Sequence, residues 1–371
     1  MDRPSRRRGA LALGAALALA VPAVAQARDI HAIDARGDLL RFDSSFPGII
    51  LDRTPVTGLP AGVTLVGIDV RPATGDLVGV GTDSAVYDID ASTGAALRIG
   101  SGFAPGLVGT SFGVDVNPVP DALRITSDRD QNYRIAFATG GHAPMSPDGA
   151  LNPAGRRIVA SAYSASALSA VRPTSTTLFG IEASTGRLVV QNPPNAGALV
   201  DVGPLGVPVG PRTAFDIAGV RDRGYMVTTA PGTRGARLYS VDLATGRARQ
   251  LGPVGTGRLL WDGTPRTLIT AMAARQESTA PGTNIAPNVE IVATTTRPRP
   301  GQRAAYIARA TDPDGDVVRV EWDTDGDGRH DDARGLSARV ALAAGVHTLA
   351  ARAIDEGGAR TRATLTVRVS R

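Results

Sequence analysis

The densest run of metal-ligand chemistry in the chain is acidic. Asp323, Asp325, Asp327, Asp331 and Asp332 fall within ten residues, with Gly328 at the sixth position. Carboxylates at positions 1, 3, 5 and 9 with glycine at 6 match a loop that supplies oxygens to Ca2+, a hard cation wanting six to eight of them. Arg334 stands at position 12, where such a loop needs a bidentate acid. Two readings stay open: a Ca2+ site with a structural role, or an aspartate-rich turn whose carboxylates cap backbone amides.

Three other constellations could do chemistry. Gly109, Ser111 and Gly113 make G-x-S-x-G, the hydrolase nucleophile elbow. That elbow needs a helix directly after the serine. Here residues 114–116 (VDV) continue as a strand, and no catalytic residue is assigned. Asp69, Asp115 and Asp216 recur at equivalent positions of repeated segments and could converge in space. Repetition favours a role in the fold, bonding turns and backbone amides. Asn117, Arg124, Asp128, Gln131, Asn132 and Arg134 form the densest group of hydrogen-bonding side chains. They mark where one repeat departs from its twin: Arg124 stands opposite Val78, Gln131 opposite Ala85, Asn132 opposite Val86 and Arg134 opposite Asp88. Such a departure is where a polar or anionic ligand could bind; the alternative is a solvated sheet edge.

Residue types that are missing exclude more. All 40 basic residues are Arg, and there is neither Lys nor Cys. Walker-type phosphate binding, Schiff bases, thiol nucleophiles, thiolate zinc, iron–sulfur clusters and disulfides are thereby removed. The histidines, His31, His142, His330 and His347, show no pair at metal-ligand spacing. Arg3, Arg6, Arg7 and Arg8 against Asp2 account for +3 of the formal +5. The remaining +2 is interspersed and gives no electrostatic footprint for nucleic acid.

The elements that must position these residues are short strands. LRFD at 40–43, YDID at 87–90, YRIA at 133–136, FGIE at 179–182 and YSVD at 239–242 share one pattern, with starts 47, 46, 46 and 60 residues apart. Three of them enter Thr-Gly turns ending at Gly94, Gly186 and Gly246. Alternating apolar residues between Gly, Pro, Asp and Ser predict four antiparallel strands per repeat, the unit of a β-propeller blade. The spacing gives about five four-stranded blades over 28–274. The first copy lacks its leading strand, and residues 266–272 are placed to supply it.

Residues 1–27 combine an arginine cluster, an apolar run and a small-residue AVAQA stretch, the pattern of a cleaved signal peptide. No other segment reaches transmembrane length. A Ser/Thr/Pro/Gly/Asn-rich linker at 275–287 leads to a tail, 288–371, with strand patterns at 289–294, 304–310, 317–322, 337–342, 347–354 and 361–369. Turns at that spacing predict an immunoglobulin-like sandwich, with Trp322 in its core.

The tail resembles the polycystic-kidney-disease (PKD) domain family through Asp312-Pro313-Asp314-Gly315, Val320-Glu321-Trp322-Asp323 and Ala344-Gly345-Val346-His347-Thr348. Residues 30–272 resemble a bacterial exported family, domain of unknown function 4394, through 65–75 (LVGIDVRPATG), 109–113 (GTSFG) and 191–194 (QNPP). The second resemblance implies the fold and export but no activity. The expected architecture is all-β, a β-propeller followed by a PKD-type sandwich. The expected protein is secreted or envelope-associated and non-catalytic. It binds an extracellular carbohydrate, cell-envelope polymer or cell-surface protein. The alternatives are an extracellular hydrolase using Asp chemistry on a propeller face, or a purely structural envelope protein.

Overall fold

The computed structural model describes residues 28–137, 148–169, 171–219, 222–233, 235–255, 267–274, 286–293, 298–311, 317–355 and 358–370. The chain there is built from strands, with one 3-10 turn at Pro194–Ala196. The expected signal peptide and most of the expected linker lie outside the described residues. No helix among the described residues is long and apolar enough to cross a membrane.

Alternating apolar positions become strands in chain order. The first sheet opens with β1 (Asp29–Asp34), β2 (Asp38–Asp43) and β3 (Ile50–Pro55). The second holds β4 (Leu65–Val70), β5 (Leu77–Gly81), β6 (Val86–Ile89) and β7 (Ala96–Ile99). The third holds β8 (Phe112–Asn117), β9 (Ala122–Ser127) and β10 (Asn132–Ala136). The fourth holds β11 (Ile158–Tyr163), β12 (Leu178–Glu182), β13 (Arg187–Gln191) and β14 (Leu199–Pro204). The fifth holds β15 (Thr213–Ala218), β16 (Arg223–Thr228), β17 (Arg237–Val241) and β18 (Ala248–Pro253). The chain then returns, and β19 (Ile269–Ala274) pairs antiparallel with β1, giving the order β19-β1-β2-β3. All these pairings are antiparallel. Most of residues 138–147, where the repeat places a fourth strand of the third sheet, lie outside the described residues.

The leading strands touch one another in succession: β4 on β8, β8 on β11, β11 on β15, β15 on β19 and β19 on β4. Glycine makes this close approach feasible. A Cβ at Gly67 would strike Val114, and one at Gly113 would strike Ser161. Gly94, Gly186 and Gly246 end their Thr-Gly turns at φ of 73°, 65° and 80°, a conformation that glycine adopts without steric penalty.

Hydrocarbon fills most seams between sheets. Phe42, Leu40, Tyr225 and Leu238 pack the first against the fifth, and Ile33, Leu39, Ile68 and Tyr87 the first against the second. Val80, Val116, Leu123 and Ile125 join second to third, and Val159, Ile181, Ile217 and Met226 fourth to fifth. The seam between third and fourth is polar, with Arg124, Thr126, Ser161 and Tyr163 all buried there.

The tail folds as β20 (Asn288–Ala293), β21 (Arg303–Thr311), β22 (Val317–Asp323), β23 (Ala333–Arg334), β24 (Ser337–Ala341), β25 (Gly345–Asp355) and β26 (Arg360–Val369). They form two sheets, β20-β21-β24 and β23-β22-β25-β26. Trp322 fills the core between Tyr306 and Leu349, fully buried, and its indole N–H donates to the Gly335 carbonyl at 2.8 Å. Leu51 of β3 is buried in the same cluster.

Candidate functional site

The repeated aspartates converge. Asp69, Asp115 and Asp216 sit near the ends of β4, β8 and β15, with carboxylate oxygens within 4.8 Å of one another and at most 2% of each residue exposed. Each carboxylate also reaches the neighbouring sheet. The Val116 N–H donates to Asp69 Oδ2 at 2.7 Å, the Tyr163 N–H to Asp115 Oδ1 at 3.1 Å, and the Ala274 N–H to Asp216 Oδ2 at 2.6 Å. Three of the five seams therefore carry an aspartate clasp; Ala162 and Ala273 hold the matching positions on β11 and β19.

Three acids this close and this dry must share protons or a cation. Burial raises Asp69 and Asp115 well above the ordinary carboxylate range, and the neighbouring acids add to it. Burial also lifts Asp216, to about 6, against the pull of the Ala274 and Ile217 N–H groups. The five leading strands also line a small cavity of about 10 Å3, bordered in part by Gly67, Gly113, Ser161 and Phe215. That is room for about one water. The three acids are buried, and none of them is among the described residues that line this cavity.

The six polar residues singled out on the third sheet separate into two networks. Arg124 is 0% exposed. Its Nε donates to the Tyr163 hydroxyl, one terminal nitrogen to Asn132 Oδ1 and Asp148 Oδ2, and the other to Asn195 Oδ1, at 2.6–3.0 Å. Arg134 grips both oxygens of Asp148 at 2.6 and 2.8 Å, and Asn117 bonds the Tyr163 hydroxyl. The second network is local. Asp128 accepts the Thr110 N–H and hydroxyl, and Gln131 binds the Val108 N–H, the Gly106 carbonyl and the Tyr133 hydroxyl. Burial would raise Asp128, but the Thr110 donors outweigh it and hold its carboxyl below the usual value. These groups therefore tie loops to the sheet through hydrogen bonds within the protein.

An open site lies elsewhere, between the first and second sheets. Side chains alternate across a strand. One face of the first sheet presents Ile30, Ala32, Leu40 and Phe42 to the fifth sheet. On the opposite face, cross-strand pairing sets Ile33 beside Leu39 and Thr54, but His31 beside Arg41 and Asp52, and Asp29 beside Asp43. This polar half opens into a cleft of about 580 Å3, whose far wall includes Val70, Gly75, Leu77 and Ser92. Arg41 spans it. Its Nε donates to Asp52 Oδ2 at 2.7 Å, and a terminal nitrogen lies 3.2 Å from each oxygen of Asp29. Burial alone would lower the Arg41 pKa; the Asp29 and Asp52 charges reverse this and raise it. Behind them burial pushes Asp43 to about 7, with the Asp29 charge adding to the rise and Ser45 and Arg28 opposing it.

In the tail, Asp323, Asp325 and Asp332 bring one oxygen each within 4.8 Å and could hold a cation; Asp327 and Asp331 stand outside that group. The Asp323 carboxylate accepts the Gly326 and Gly328 N–H groups, Asp332 those of Thr324 and Asp325, and Asp327 that of Arg329. The Thr324 N–H holds Asp332 below the usual carboxylate range. Ser111 opens no nucleophile elbow: a strand follows it, and its hydroxyl donates to the Pro211 carbonyl at 2.7 Å.

Sequence reasoning missed the cleft. Its signal was present as polar residues at 29, 31, 41, 43, 52 and 54, alternate positions of three strands.

No curated protein matches the chain. Among solved structures, the PKD1 domain of Vibrio anguillarum Epp is similar at 24% identity, over 24% of this chain and 98% of that one, with a TM-score of 0.20. The PKD domain of an M14-like peptidase from Thermoplasmatales archaeon SCGC AB-540-F20 is similar at 21% identity, over 24% and 100%, with a TM-score of 0.21. The Dos1 propeller is similar at 12% identity, over 57% of this chain and 54% of that one, with a TM-score of 0.31. Residues 38–262 match the family described as Domain of unknown function (DUF4394). Matched over more than half its length, the chain belongs to that family.

Proposed function

We propose that residues 28–274 are a five-bladed propeller, and that the protein is an exported, non-catalytic binding or surface-interaction protein. The succession of contacts among the five leading strands, with β19 joined to β1, supports the propeller reading. The amino-terminal arginine–apolar–small-residue pattern supports export. The sandwich then serves as a spacer or adhesive module, an analogy from fold.

One observation carries the choice of binding over catalysis. The roomy cleft holds Arg41 between Asp29 and Asp52, whereas Asp43, Asp69, Asp115 and Asp216, whose pKa values burial raises, are themselves buried and do not line it. Catalytic carboxylates must touch a substrate, and Asp69, Asp115 and Asp216 are not placed to do so in that cleft. The test is a screen of the purified protein against glycans and cell-wall polymers, scoring binding and turnover together. Saturable binding without product supports the reading; release of sugar or ester product would replace it with the hydrolase reading.

A further inference from the structure

We infer that the cleft between the first and second sheets takes a neutral polyhydroxyl ligand, an oligosaccharide held by its hydroxyl groups against Arg41, Asp29, Asp52 and Thr54. The inference rests on the binding reading above and names the site and ligand class within it.

Charge decides first. An anion needs a guanidinium with charge to spare, but Arg41 lies between two carboxylates, 3.2 Å from Asp29 and 2.5 Å from Asp52. A strongly cationic ligand is not favoured either. Arg28 and Arg41 stand against Asp29, Asp43 and Asp52, and burial, by raising the Asp43 pKa, reduces the small acidic excess. What remains is a close alternation of acceptors and donors. Asp29 and Asp52 accept, the Arg41 N–H groups donate, the Thr54 hydroxyl can do both, and the Ser92 hydroxyl, which donates to Asp90, can accept. A sugar hydroxyl, itself donor and acceptor, is complementary to that alternation.

Shape agrees. Leu39, Leu77 and Val70 border the cleft as an apolar floor, though only 3–6% of each is exposed. The cleft's volume of about 580 Å3 lies within the usual range for small-molecule sites. Asp29 and Arg41 are 15% and 18% exposed, so their hydrogen-bonding atoms are largely shielded from bulk water yet border an open space. In such a place a lost hydrogen bond to a charged group is felt strongly.

The experiment is calorimetric titration of the purified protein with a panel of neutral oligosaccharides: α- and β-linked glucan, mannan and xylan fragments. Trigalacturonate serves as the anionic probe and spermidine as the cationic one. At least one neutral sugar is expected to bind about tenfold or more tightly than either charged probe. Arg41→Leu and the milder, cleft-filling Thr54→Leu should each weaken it by about tenfold or more. Thr54 is half-buried on the cleft face, so its variant tests the site even where Arg41→Leu fails to fold. Tight binding of trigalacturonate or spermidine that Thr54→Leu abolishes would overturn the ligand class and leave the binding reading standing. A sugar whose affinity both folded variants leave unchanged would overturn the site. No binding across the panel would overturn the proposal. Hydrolysis of a sugar bound in the cleft would support the ligand class while overturning the non-catalytic reading.

Discussion

The Val116 N–H on the third sheet donates to the Asp69 carboxylate on the second, 2.7 Å away, and that carboxylate lies beside those of Asp115 and Asp216. One cluster of acids thus joins sheets far apart in sequence, and its protonation state bears on how firmly they are held. In the unfolded chain these acids release protons near pH 4. In the folded chain Asp216 keeps its proton to about 6, and Asp69 and Asp115 are also raised well above the ordinary range, burial being the main cause. The folded state therefore binds more protons between those values, and stability falls as pH rises through about 6. The rise at Asp216 alone corresponds to about 3 kcal/mol. Asp43, at about 7, acts in the same direction. Below pH 4 carboxylates such as Glu182, whose pKa Arg156 and its other partners hold low against burial, lose their stabilising charge. Thermal melts in EDTA should give the highest midpoint near pH 4.5–5.5, with a decline towards pH 8. A midpoint that is flat or rising from pH 5 to 8 would refute this account.

Asp115→Asn should flatten that decline. The variant's amide oxygen can still accept the Tyr163 N–H, while its NH2 donates to a neighbouring carboxylate and removes one like charge. The expected result is a higher melting midpoint than wild type at pH 8 and little difference at pH 5. A variant less stable at both values would count against proton sharing.

Arg124 occupies a seam where other sheets use hydrocarbon. Arg124→Met removes hydrogen bonds to Tyr163, Asn132, Asp148 and Asn195 and leaves Asp148 to Arg134 alone, and should reduce unfolding free energy by about 3 kcal/mol in urea denaturation. Arg134 is partly exposed, 26%, so its truncation should remove only about 1 kcal/mol. Equal effects would mean that burial is not what makes Arg124 matter.

Gly113→Ala places a methyl group against Ser161, where leading strands of the third and fourth sheets meet. Neither backbone can retreat without opening the ring of contacts, so a loss of about 1–3 kcal/mol is expected by denaturant titration. A neutral outcome would show that the axis has slack.

Chelation tests the acidic turn of the tail. Asp323 and Asp332 already cap four backbone N–H groups, so the turn closes on its own hydrogen bonds. The tail's thermal transition, followed by Trp322 fluorescence, is expected to be the same in EDTA and in millimolar Ca2+. A Ca2+-dependent upward shift would establish the metal site that the spacing at 323–331 first suggested.

Strand positions were legible because alternation and turn chemistry are local. The predicted strands at 40–43, 87–90, 133–136, 179–182 and 239–242 overlap β2, β6, β10, β12 and β17, and the segment at 266–272 overlaps β19. The convergence of Asp69, Asp115 and Asp216 was half legible. Equal register in the repeat says that they share a level, but not that side chains from separate sheets meet. Arg124 stood out as a departure from Val78, yet its burial was hidden. Its partners Asp148 and Asn195 are 24 and 71 residues away, a distance no local pattern encodes. The cleft was hidden for a related reason: a polar stripe on β1–β3 reads as a solvated edge until the second sheet is placed opposite it.

The pairing of β19 with β1 also governs the order in which the chain can mature. During synthesis β1 emerges early, but its partner Ile269–Ala274 is more than two hundred residues behind. Until then the first sheet has an unsatisfied rim, with the β1 amides and carbonyls on that side available to another chain. The same holds for any fragment cut at residue 262, the end of the family match, which keeps four further sheets and loses the strand that caps the first. Such fragments should self-associate through β1, whereas a chain extended to residue 274 carries its own cap.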